Sequence, residues 1–109
     1  MILLLFLFGA MLNAQTIVYD LSFETPADEY DYEIKRFVSY EELIPVAIDE
    51  KKPAEAVVKL MSTYVDKGRV QKVEAEQKAK VGLYPEAISL LLAATEELRR
   101  ALRLAGVSQ

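Results

Sequence analysis

The chain reads as a mainly α protein: three helices, the last two folded into a C-terminal helical hairpin, behind an N-terminal extended arm or β-hairpin. Three observations predict this. Apolar residues recur at helical spacing on both sides of Gly82-Leu83-Tyr84-Pro85, from Lys67 to Leu104. Before Phe37 the apolar period is two, the spacing of a half-buried strand. Between these regions Ser39-Tyr40-Glu41-Glu42 has the Ser-x-x-Glu spacing that opens a helix. Three segments follow: residues 1–14 as a signal peptide, 15–38 as the arm and 39–106 as a helical domain.

Met1 to Leu12 is an apolar run, shorter than the roughly 20 residues a membrane-spanning helix needs. It suits the core of a secretory signal, with Leu12-Asn13-Ala14 as the cleavage site. No Lys or Arg precedes the run, and Leu12 is bulkier than such sites favour; an upstream start codon would account for the missing charge. Cysteine is absent, so a lipid-anchored product is not expected, and cleavage would leave no stable membrane anchor. Without cysteine there is also no disulfide framework or thiol nucleophile.

In the arm, Ile17, Tyr19, Leu21 and Phe23 alternate with polar or smaller neighbours, as do Tyr30, Tyr32 and Ile34. Aromatic and β-branched residues at period two favour strands. Thr25-Pro26-Ala27-Asp28 between the two runs is turn material. Tyr19, Phe23, Tyr30, Tyr32 and Tyr40 make this the aromatic-rich part of the chain. A tyrosine buries area while keeping a polar tip, so these five are the candidate interaction surface; the competing expectation is that they cover the helices as core. Asp28, Glu29, Asp31 and Glu33 form the densest carboxylate cluster. On a strand they would point to alternate faces, which suits a solvated edge better than a calcium site.

The first helix is expected to begin at Tyr40, to tolerate Pro45 near its start and to end by Asp49, ahead of Pro53. Pro53 suits the start of the second helix. On that helix Ala54, Val57, Met61, Tyr64, Gly68, Ala75 and Ala79 share one broad face, bulky first and small later, with Val70 and Val73 off it. Gly82 suits a left-handed helix stop and Pro85 the first turn of the next helix. The third helix carries its stripe at Ala87, Leu91, Ala94, Leu98, Ala101, Leu102 and Ala105, with Gly106 as its stop.

Gly82-Leu83-Tyr84-Pro85-Glu86-Ala87-Ile88, with Leu91 and Ala94 beyond, resembles the second half of a tetratricopeptide-type helical hairpin. The resemblance covers about residues 82–96. It implies a turn packed by the tyrosine and helices that cross closely on small residues. Gln71, Glu74 and Lys78 stand where that family has bulky residues, and Arg99 where it has proline. The chain has no room for the three repeats such a solenoid needs, so no peptide-binding residues carry over.

Histidine is also absent, which removes the commonest general base and transition-metal ligand. There is no glycine-rich phosphate loop and no nucleophile motif. Glu41/Glu42 and Glu96/Glu97 are sequence neighbours, which on a helix point in different directions rather than straddling a substrate. The net charge of −4 and pI of about 4.9 argue against nucleic acid as a partner. That charge is divided: residues 15–50 hold ten Asp/Glu against Lys35 and Arg36, and residues 51–109 hold seven Asp/Glu against eleven Lys/Arg. The expectation is a small non-enzymatic accessory or interaction protein of the bacterial envelope, periplasmic or secreted, without cofactor, whose partner is another envelope protein. The alternative is a carrier holding a small apolar ligand between its helices. Export makes a direct prediction: intact-mass analysis of the protein from its native source should find a mature N-terminus at Gln15, and retention of Met1 or Ile2 would refute it.

Overall fold

The computed structural model describes residues 22–109, which form three helices and no strand: α1 (Pro26–Lys51), α2 (Glu55–Lys80) and α3 (Tyr84–Leu104). The expected hairpin is α2 and α3. The first helix differs from expectation. It starts fourteen residues earlier than Tyr40, because the true cap is Thr25, whose Oγ1 accepts from the Asp28 N–H at 3.1 Å. Pro26 follows at the first helical position, and Asp28 and Glu29 lie in the first turn, where the unpaired N–H groups favour negative charge. Residues 26–38 of the expected arm are therefore helix. Tyr30, Ile34 and Phe37 face inward from successive turns of α1. Residues 15–21 of the arm, with Tyr19, and the signal segment 1–14 lie outside the described residues. Ser39 is mid-helix rather than a cap, its hydroxyl donating to the Lys35 carbonyl at 3.0 Å.

α1 runs through Pro45 and stops at Lys52, which adopts the left-handed conformation (φ 48°) and donates its N–H to the Ile48 carbonyl at 3.0 Å. Pro53 then lies just ahead of the α2 cap, Ala54, rather than inside the helix. The other two helix ends are alike. At Gly82 (φ 80°), Leu83 N–H reaches the Lys78 carbonyl at 2.9 Å and Gly82 N–H the Ala79 carbonyl at 3.0 Å. At Gly106 (φ 91°), Val107 N–H reaches Leu102 and Gly106 N–H reaches Arg103, both at 3.0 Å. Both are Schellman stops, in which glycine takes the left-handed position at little steric cost.

Three-residue links and contacts of Arg69 with Glu41, Tyr30 with Tyr84, and Lys67 with Glu97 set the helices up-down-up. α3 packs extensively on both others, whereas the α1 and α2 backbones approach at few points. The main core gathers Phe37, Ile44 and Ala47 of α1, Met61 and Val65 of α2, and Ala94, Leu98, Ala101 and Leu102 of α3. A second cluster near the Gly82 turn joins Ala75, Ala87 and Leu91, flanked by Tyr30 and Ile34. The whole predicted stripe of α3 is buried. Val70 and Val73 stay exposed, as their position off the α2 face implied. None of these helices is long and apolar enough to cross a membrane.

α2 and α3 approach closely at Gly68. A Cβ there would lie 2.9 Å from the Ala94 carbonyl oxygen and 3.5 Å from both Leu98 and Phe37. The neighbour at 2.9 Å is backbone, so relief requires moving α3. In an exposed helix interior, Gly→Ala gains about 1 kcal/mol. At Gly68 overpacking reverses the sign. Gly68→Ala should destabilise by about 1–3 kcal/mol, while Ser62→Ala, on the exposed side of α2, should stay within about 0.5 kcal/mol. Urea denaturation of the two variants decides it, and a Gly68→Ala protein as stable as the parent would show that the helices do not meet here.

Candidate functional site

The five aromatic residues expected to share a surface are divided by the helical path of α1. Tyr30 points inward. It packs on the second cluster and meets Tyr84 edge-on with ring centroids 5.8 Å apart. Tyr40 is half-buried, its ring against the main core and its outer side under the Arg36 guanidinium, 5.5 Å from the ring centroid. Tyr32 points outward and is 37% exposed. Phe23, just ahead of the helix, lies against it with a centroid separation of 5.4 Å. Tyr19 lies outside the described residues.

Three of the five therefore remain together, and they extend into a groove. Tyr32, Lys35, Arg36, Ser39, Tyr40 and Leu43 line an open hollow of about 540 Å³ along the outer side of α1. Leu43 (46% exposed) and Val46 (47%) continue the stripe toward the C-terminal half of the helix. These residues recur at three- and four-residue steps, so α1 has two apolar faces, one against the bundle and one toward solvent. Leu43 and Val46 were missed because strand and helix were expected on either side of residue 39, and the stripe crosses that boundary. The run 32, 36, 39, 43, 46 was nonetheless present in the chain as a helical repeat.

Ion pairs frame the bundle. Arg69 Nε lies 2.6 Å from Glu41 Oε2 and ties α2 to α1 where their backbones stand apart. Glu97 is buried. Lys67 Nζ of α2 lies 3.3 Å from its Oε2, and Arg100 3.5 Å from its Oε1, a charge contact without hydrogen-bond geometry. Glu96 accepts from Arg103 at 3.0 Å and Arg99 at 3.4 Å. That hydrogen bond from Arg103 chiefly holds its carboxyl below the ordinary value, against some desolvation, with Arg99 and Arg100 adding charge attraction. Of the carboxylate cluster, Asp28 and Glu29 serve the α1 N-terminus, and Glu33 is buried with Arg36 at 3.3 Å. No group of His, Cys, Asp or Glu among the described residues is arranged to hold a metal ion.

In comparisons with family models, curated proteins and solved structures, nothing matches this chain.

The inward tyrosine is testable by pH. Burial chiefly, then Glu76, Asp31 and Tyr84, push the Tyr30 phenol above its ordinary 10.0. The folded state then holds this proton more tightly than the unfolded state. Its contribution is complete below pH 10 and is lost as pH rises through the raised value. Tyr30→Phe should leave stability at neutral pH within about 1 kcal/mol and reduce the loss between neutral and strongly alkaline pH. Urea midpoints measured on both proteins at both pH values report the difference; an unchanged alkaline loss would place Tyr30 in solvent.

Proposed function

We propose that this chain is a small exported, non-enzymatic interaction protein of the bacterial envelope, and that it presents the outer face of α1 to a protein partner. The observation that carries this is the pairing of a filled interior with an exterior groove that is open among the described residues. The core residues of all three helices are closely packed, with Phe37, Met61, Leu91, Leu98 and Leu102 fully buried. Among the described residues, part of the exposed apolar area is ordered along α1 from Tyr32 to Leu43 and Val46, and the rest is divided among Leu60, Val70 and Val73 of α2, Val81 and Leu83 at the turn, and Leu92 and Leu104 of α3. Contiguous exposed apolar area on a small folded protein is a recurrent mark of an interaction site. Tyr32 and Arg36 are residue types enriched at the centres of interfaces. Export is supported by the apolar run Met1–Leu12 followed by Asn13-Ala14, and the bacterial assignment by that start together with the chain's size.

The carrier alternative draws no comparable support, since the hollow at Tyr32–Leu43 and those at Tyr30–Lys80 and Tyr64–Leu104 open onto the surface. The likeness of the α2–α3 turn to a tetratricopeptide-type unit is best taken as shared turn and small-residue packing, not as a peptide-binding repeat.

A photo-crosslinking residue in place of Tyr32 or Leu43, in cells of the native source, should yield a discrete adduct in the envelope fraction. The same residue at Ser62 or Glu74, exposed on α2, should yield none. Adducts at all four positions, or at none, would refute an α1-centred surface.

A further inference from the structure

The outer face of α1 has a charge pattern that selects its occupant. Lys35 and Glu42 are both exposed and lie seven residues apart, on the same edge of the stripe formed by Tyr32, Ser39 and Val46. Two turns, about 10 Å, separate them along the axis, too far to pair with each other. Neither makes an ion pair among the described residues, whereas Glu33, Glu41, Glu96 and Glu97 all do. A basic and an acidic residue on one edge of one helix complement the same edge of an identical helix running the opposite way. In that arrangement each Lys35 meets Glu42 of the other copy at both ends of the contact.

We infer that the partner on this face is a second copy of the chain, paired antiparallel through α1 about a two-fold axis near Ser39. This rests on the interaction reading of the α1 face and names its occupant. The crossing point suits close approach. Ser39 is small, and its hydroxyl is already bonded to the Lys35 carbonyl at 3.0 Å, so burying it strands no donor. Tyr32 then lies opposite Val46 of the second copy, placing the two largest exposed apolar positions of the ends against each other. The same pairing brings Asp28 and Glu29 toward Asp49 and Glu50. Those acids are about 15 Å from the crossing, and at the common crossing angle of about 50° the helices have diverged there. The contact is short. One α1 face offers on the order of 400 Å² per copy, below the roughly 800 Å² per partner of a standard stable interface. The dimer is accordingly weak and reversible.

Sedimentation velocity over a concentration series, on the chain as isolated from the cells that express it, tests this. The parent should pass from monomer to dimer with increasing concentration. Lys35→Glu sets acid against acid at both ends, and Glu42→Lys sets base against base. Each alone should weaken the dimer by about tenfold or more. An equimolar mixture of the two variants should recover it, since both contacts in the mixed pair are then complementary. Circular dichroism confirms that the variants stay folded, as both positions are exposed. A parent monomeric across the series, or a dimer indifferent to these substitutions, overturns the inference. Either result leaves the α1 surface open to a different partner, which the crosslinking adducts at Tyr32 and Leu43 would still report.

Discussion

The structure depends on how closely α2 can lie against α3. At Gly68 the missing side chain lets the Ala94 carbonyl approach to a distance that no Cβ would tolerate. Seven residues on, Ala75 is fully buried, and on the facing helix Ala87, Ala94 and Ala101 repeat at the same interval. Small residues at matching seven-residue steps keep two antiparallel helices in register and in backbone contact along the seam. The close fit also leaves costs. Gln71 Oε1 and Thr95 Oγ1 are buried without hydrogen-bond partners among the described residues. Burial of Met61, Leu91, Leu98 and Leu102, each worth about 1.5–3 kcal/mol, offsets an unpaired oxygen that costs about 1–3 kcal/mol.

α1 is attached differently. It reaches the seam through large side chains, Phe37 above all, whose ring edge lies near Gly68 and whose face is about 5.8 Å from the Lys72 ammonium. The gap opened by Gly68 is thus shared, α3 filling it with backbone and α1 with an aromatic ring. Where α1 and α2 stand apart, the Arg69–Glu41 pair spans them, but both side chains are partly exposed, and such pairs contribute at most about 1 kcal/mol. Apolar packing on α3, not charge, holds α1 in place. The divided sequence charge is only partly used between helices, at Arg69–Glu41, and much of the acidity of α1 remains on its outer side.

What was legible in the chain follows from this division. The hairpin was readable because its punctuation is local: Gly82 and Pro85 mark the turn, and the alanine–leucine stripe of α3 has one period only. The first half of α1 was not, because Tyr30, Tyr32 and Ile34 alternate with charged residues while Tyr30, Ile34 and Phe37 equally satisfy the helical period. The four-residue local signal ahead of this stretch does not separate the two cases. Thr25 three residues ahead of Asp28, with Pro26 between, caps a helix as readily as it makes a turn, and only packing of the inward face on α3 decides. Glu97 was illegible for a related reason. Nothing in Glu96-Glu97 distinguishes its members until Lys67 of another helix arrives beside one of them. Of the expected aromatic surface, the chain did not show the sidedness, so Tyr30 was grouped with residues that face the other way.

The up-down-up path gives the molecule two unlike poles. The start of α1 lies beside Tyr84 at the beginning of α3, while Val107 and Ala105 close the core next to Ala47 and Ile48 at the other end. The 21 residues of α3 separate these poles by about 30 Å. Phe23 turns back from the first pole onto Tyr32 of α1, and Gln109 turns back from the second onto Arg99 of α3 at 3.1 Å. Each end of the described chain thus lies against the flank of its own helix rather than off the end of the bundle.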